Sequence, residues 1–88
     1  MAFKIFFHKK ARKEFSRLDN PTKERVKKET KKLATNPKKG KHLRHCEYYS
    51  LRIGDYRTIY EIIKEEKKII VLFIGHRKHA YEDFTKLF

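Results

Sequence analysis

Between positions 3 and 8 apolar and polar residues alternate, with Phe3, Ile5 and Phe7 on one side. That period of two predicts a strand, interrupted only by Phe6. Over positions 9–18 the period lengthens. Ala11, Phe15 and Leu18 recur at i, i+4 and i+7, one stripe of a helix, and Lys9, Lys10, Arg12, Lys13 and Arg17 lie off it. Asp19-Asn20-Pro21 breaks the chain and restarts it. Asn20 is a good N-cap and Pro21 suits a first helical position, so a second helix is expected from position 21 to about 35. Its apolar face is thin: Val26, Thr30, Leu33 and Ala34. Glu24 with Lys28 and Arg25 with Glu29 stand at the i, i+4 spacing that supports a helix locally. Asn36, Pro37 and Gly40 then end it in a basic loop.

Residues 41–46, KHLRHC, predict a short strand or an irregular edge. Residues 47–53 predict a strand with Tyr48, Ser50 and Arg52 on one face and Tyr49, Leu51 and Ile53 on the other. Gly54-Asp55 is a turn signal, because glycine tolerates positive φ and aspartate caps its own backbone. Alternation resumes over Tyr56–Ile63, which makes the pair of strands a hairpin. After a charged turn at 64–67, the strand expected over 68–74 is apolar at both parities from Ile69 to Ile74, the mark of a strand covered on both faces. Beyond Gly75 the chain reads HRKHAY and runs into a short amphipathic helix bearing Ala80, Phe84 and Leu87. The order β-α-α-β-β-β with a terminal helix predicts an α+β fold, with residues 1–88 forming a single domain.

Charge then narrows the function. Twenty-four Lys and Arg against 11 Asp and Glu give +13, an excess that attracts polyanions, nucleic acid first and an acidic protein partner after it. The basic residues are not gathered on one amphipathic helix, as a membrane-surface anchor requires. No apolar run is long enough to span a bilayer and no signal pattern opens the chain. The lone Cys46 cannot form an internal disulfide, which fits a cytoplasmic protein.

Candidate chemistry is sparse. His42 and His45, like His76 and His79, stand three apart, but no carboxylate or cysteine set completes a coordination shell, so no metal is assigned. No glycine-rich phosphate loop, nucleophile elbow or paired-carboxylate signature occurs, and no cofactor is implied. What remains is a metal-free set for phosphodiester cleavage. Attack by RNA's own 2′-hydroxyl needs a base, an acid for the leaving 5′-oxygen, and cations for the charge on phosphorus oxygens. Arg57 and Arg77 suit the cations. His76, His79 or Tyr81 suits the acid, histidine being better matched to neutral pH. Tyr48, Tyr56 and Tyr81 suit stacking on an unpaired base. Arg52, Arg44, Lys31 and Lys32 are further candidate RNA contacts.

The stretch LRIGDYRTIYEI, followed by KKIIVLFIGHRKHAY, resembles the second half of the RelE/ParE superfamily of small toxins. The family pattern is a strand ending in Arg, Val or Ile, Gly-Asp-Tyr-Arg, then an apolar strand, then Gly-His-Arg ahead of a tyrosine. Here it falls on Arg52 to Tyr60 and on Gly75-His76-Arg77 through to Tyr81. It covers about the last forty residues, while the first half agrees only in element order. The resemblance implies two N-terminal helices against a twisted, mostly antiparallel sheet, in the toxin of a type II toxin–antitoxin pair. For RelE-type members it implies an mRNA interferase, a ribosome-dependent endoribonuclease that enters the A site and cleaves mRNA through the 2′-hydroxyl. It also implies an acidic RelB-like antitoxin that wraps the toxin, so that the chain is a monomer or part of a toxin–antitoxin hetero-oligomer.

By motif, Arg57 and Arg77 match the family's phosphate-contacting arginines, Tyr81 its C-terminal tyrosine, and Arg52 a basic residue on the sheet face. One departure stands out. Some members carry two lysines on the strand before the corner, one acting as base, and here Tyr48 and Ser50 occupy those places. His76 and His79 are therefore nominated for proton transfer, with His45 and Glu47 behind them. Two alternatives remain: a ParE-type toxin that inhibits gyrase without catalytic residues, and a catalytically inactive basic RNA- or ribosome-binding module. Gly-His-Arg ahead of a tyrosine favours RelE.

Overall fold

The structure, a computed structural model, describes residues 2–43 and 47–76. The expected C-terminal helix lies outside them, as do Arg44, His45 and Cys46. Strand β1 (Lys4–Phe7) passes through His8 into helix α1 (Lys9–Ser16), and His8 caps that helix by accepting the Lys10 N–H on Nδ1 at 3.2 Å. Helix α2 (Asn20–Lys31) continues into a 3₁₀ turn (Lys32–Ala34). Its N-cap is Asp19 and not Asn20, which is already helical. The Asp19 carboxylate accepts the Thr22 N–H at 3.4 Å and the Thr22 hydroxyl at 2.5 Å. The Thr22 hydroxyl bond is the main reason that this carboxyl sits below its ordinary pKa, and an ionised acceptor suits the positive end of a helix. Glu29 pairs with Lys32 at 2.9 Å and Lys39 at 3.5 Å rather than with Arg25.

Strands β2 (Lys41–His42), β3 (Tyr48–Ile53), β4 (Tyr56–Ile63) and β5 (Lys68–His76) join β1 in one sheet of order β1-β5-β4-β3-β2. Neighbours are antiparallel except β1, which lies parallel to β5. Gly54 and Asp55 form the β3–β4 corner. Only Gly54 takes a positive φ, 60°, the pattern of a II′ turn. Ala11, Val26 and Leu33 pack on Leu51, Ile53, Tyr60, Ile69, Val71 and Ile74, which defines a helix face of the sheet. A second cluster of Ile59, Leu72 and Phe73, joined by Leu43, Tyr48 and Ile70, occupies the far face. Strand β5 is thus buried on both sides, as its unbroken apolar run requires.

An irregularity in β5 resets the faces of the residues beyond it. Tyr60 pairs with Val71 and Ile59 with Phe73, so Leu72 has no opposite number. This bulge inserts one residue into the alternation. Val71 faces the helices, Leu72 and Phe73 both join the far cluster, and Ile74 returns to the helices.

Tyr60 ties the basic loop to the sheet. Fully buried, it donates its hydroxyl to the Pro37 carbonyl at 2.7 Å and accepts the Gly40 N–H at 3.0 Å. Burial raises its pKa, so the fold keeps the phenol protonated. That contribution is complete below the ordinary tyrosine pKa and is lost as pH rises from there through the raised value of the folded state. Tyr60→Phe is expected to cost about 1–3 kcal/mol, since Pro37 and Gly40 lose their partner. Urea unfolding at neutral pH measures the loss, and the variant should also show a weaker alkaline decline in stability. Among the described residues no helix is long and apolar enough to cross a membrane.

Candidate functional site

The β3–β4 hairpin carries the cations. On its far face Tyr48, Ser50 and Arg52 of β3 stand opposite Glu61, Ile59 and Arg57 of β4. Arg52 and Arg57 are therefore directly opposed, an arrangement that destabilises a sheet unless an anion lies between the two charges. Arg57 is half-buried and donates from Nη1 to the Ser50 hydroxyl at 3.1 Å. Ser50 itself is 2% exposed, so this acceptor is fixed by packing. Arg52 is exposed and donates from Nε to the Gly54 carbonyl at 3.2 Å. These two bonds aim the guanidinium groups at uncharged acceptors and cancel none of their charge.

On the other side of β4, Arg57 faces Gly75 and Tyr56 faces His76. The Phe73 ring lies over Gly75, where an added Cβ would sit 2.5 Å from its Cε1 and 2.9 Å from its Cζ. On the face of Arg57 the sheet thus carries a buried apolar cluster of Phe73, Leu72 and Ile59, with the half-buried Tyr48 packed against it. Gly75→Ala is expected to push this ring aside at a cost of about 1–3 kcal/mol. Thermal unfolding and a Phe73 ring signal displaced in the NMR spectrum would both record it.

His76 is exposed and ends β5 on the helix face, its ring edge-on to Tyr56 with centroids 5.9 Å apart. The bulge at Leu72 is the cause. Unbroken alternation from Ile69 would have carried position 76 to the face of Arg57. The structure thus gathers Arg52, Arg57, Ser50 and Tyr48 on one face, and places His76 with Tyr56 on the other face at the same end of the sheet.

Lys31 and Lys32 lie at the opposite end. There the 3₁₀ continuation of α2 meets the start of β1, the Ala34 carbonyl accepting the Phe3 N–H at 2.7 Å, and Lys32 is already paired with Glu29. Glu47 precedes β3 at that same end. Arg44, His45, Arg77, His79 and Tyr81 fall outside the described residues. Among the described residues no group of three or more His, Cys, Asp or Glu side chains is placed to hold a metal ion. A residue that sequence reasoning missed is Arg25. Its guanidinium covers the hairpin corner, with Nη1 3.0 Å from where a Cβ on Gly54 would stand. Its helical spacing to Glu29 gave no sign of this.

This chain is similar to known toxins along nearly its whole length. The family described as the ParE toxin of type II toxin–antitoxin systems matches residues 5–81. The mRNA interferase toxin RelE of Escherichia coli K12 is 27% identical over 84 residues, spanning 91% of this chain and 88% of that protein. An arginine-to-alanine double mutant of E. coli RelE in the free state superposes with a TM-score of 0.82 at 26% identity, over 99% of this chain and 98% of that one. The RelBE2 toxin–antitoxin complex from Mycobacterium tuberculosis gives 0.80 at 27% identity, over 88% of this chain and 100% of that one. Two helices on a five-stranded mixed sheet are the architecture of these RelE structures. With the family match running from β1 past the end of β5, the chain belongs to the ParE toxin family of type II toxin–antitoxin systems and is a RelE-like toxin.

Proposed function

We propose that this toxin is a ribosome-dependent endoribonuclease that cuts mRNA in the A site by metal-free attack of the 2′-hydroxyl. The observation that carries this reading is the opposed pair Arg52 and Arg57, the latter held on a buried serine. In the reaction the 2′-oxygen forms a bond to phosphorus and the bond to the 5′-oxygen breaks, leaving a cyclic phosphate. The 2′-hydroxyl proton passes to a base, and an acid gives a proton to the leaving oxygen. Negative charge grows on the non-bridging oxygens, where a guanidinium already aimed by Ser50 stabilises it without reorganising. The half-buried Tyr48 on the same face supplies a ring for an unstacked base.

Arg77 is assigned as the second arginine on the phosphate, with Tyr81 stacking and His79 in proton transfer. His76, set against Tyr56 on the helix face, is assigned to positioning. Ser50, occupied by Arg57, is no base, so the base comes from outside β3. An acidic RelB-like antitoxin is the partner that best matches the +13 charge, and the RelBE2 complex supports it. An action on ribosomes goes with a cytoplasmic location.

Primer-extension mapping of an mRNA in a purified translation system tests the reading. Cuts at A-site codons that appear only with the protein are expected. Intact mRNA with active ribosomes would overturn the enzyme assignment. The family description names ParE, which favours one rival, a gyrase poison. Loss of gyrase supercoiling without RNA cleavage would select it.

A further inference from the structure

Two guanidinium groups converge on one residue at the hairpin corner. Arg52 reaches the Gly54 carbonyl from β3, and Arg25 covers the Gly54 α-carbon from α2. Glycine is what permits this. Its φ of 60° is one that side chains rarely adopt, and a Cβ would also crowd the Arg25 Nη1 at 3.0 Å. Arg25 makes no ion pair among the described residues, although Asp55 lies at the corner and Glu24 and Glu29 share its helix. Glu29 is committed to Lys32 and Lys39. A guanidinium held over a corner, with no carboxylate partner among the described residues and with Arg52 on the same corner, is an anion contact in waiting.

We propose that Arg25 is a further phosphate-gripping arginine, which holds the backbone of the RNA strand next to the nucleotides engaged by Arg52 and Arg57. This deepens the endoribonuclease reading and rests on it for the identity of the anion as RNA. Arg25 is a binding residue. It anchors the strand as it passes the corner and takes no part in bond making. It comes from a helix while the other two come from the sheet, so the three cations track a strand wrapping around the hairpin end.

The test is a fluorescence-anisotropy titration of a short single-stranded RNA whose 2′-hydroxyls are methylated, so that cleavage cannot occur. Wild type, Arg25→Ala, Arg25→Lys and Lys38→Ala are compared over a range of salt. Lys38 lies in the loop at the far end of the sheet, near Phe3 and Ile62, and matches the loss of one charge. Arg25→Ala is expected to weaken binding about three- to tenfold and to reduce the slope of log K against log salt by roughly 0.7, one phosphate contact on a single strand. Arg25→Lys should restore the slope. An unchanged slope in Arg25→Ala, or an equal loss in Lys38→Ala, would overturn the proposal, because a packing role moves the melting temperature and not the salt dependence. Tight binding that depends on Arg25, in a protein that leaves mRNA intact in the primer-extension experiment, would sink the catalytic reading and leave this contact standing.

Discussion

Arg57→Ala is expected to lower the rate of mRNA cleavage by about 100- to 1,000-fold, the usual loss when one preorganised charge stabiliser is removed from a transition state. The fold should survive, since Arg57 is only half-buried and contributes no apolar area to either core cluster. Single-turnover kinetics on ribosome-bound mRNA separate the effects. A contact made mainly in the transition state lowers kcat with little change in KM, whereas a contact made equally to bound mRNA raises KM alone. Arg57→Lys should recover little, because an ammonium does not reproduce the fork that can bridge the Ser50 hydroxyl and a phosphate oxygen. Arg77→Ala is expected to behave like Arg57→Ala. A cleavage rate unchanged in both would remove the far face of the hairpin from consideration as the active site.

Ile69→Ala is expected to lower the free energy of unfolding by about 2–5 kcal/mol, the range for deleting a large aliphatic side chain from a packed core. Ile69 is fully buried, and its register neighbours are Ile5 on β1 and Ile62 on β4. The cavity would open where the parallel and antiparallel halves of the sheet meet. Small proteins of this size hold about 5–15 kcal/mol in total, so a large share would go. Phe6 is the control. It sits on the same edge strand as Ile5 but points outward and is 45% exposed, with the Lys68 ammonium over its ring. Its truncation should stay within about 1 kcal/mol. Urea unfolding followed by circular dichroism measures both, and equal losses at the two positions would contradict the assigned faces of the sheet.

The hairpin was legible because two signals agreed. Alternation in β3 and β4 fixed which residues share a face, and Gly54-Asp55 fixed where the chain turns, so the Tyr48, Ser50, Arg52 face was readable from the residues alone. In β5 the apolar run announced burial on both sides but carried no phase. Leu72, Phe73 and Ile74 are all buried, so nothing in their identity marks the extra residue, and the face of His76 could not be read. At the start of α2 two good capping residues stand side by side, and the Thr22 hydroxyl decided between them in favour of Asp19. Local spacing paired Arg25 with Glu29, while tertiary packing sent one to the hairpin corner and the other to Lys32 and Lys39. Lys31 and Lys32 stood with Arg52 as candidate RNA contacts because a charge pattern carries no information about which end of the sheet a helix terminus meets.

The parallel pairing of β1 with β5 sets the timing of the toxin's birth. Its partners, from Lys4 with Lys68 to Phe7 with Val71, are 64 residues apart in the chain. At synthesis rates of about 5–20 residues per second, β1 emerges roughly 3–13 s before the strand it must join. Ala11, Val26 and Leu33 wait as well, since Ile69, Val71 and Ile74 form much of the surface on which they pack. Gly75, which faces Arg57, lies near the end of the same late strand. Folding is therefore deferred until β5 has emerged, and until then the hairpin lacks the strand that flanks Arg57.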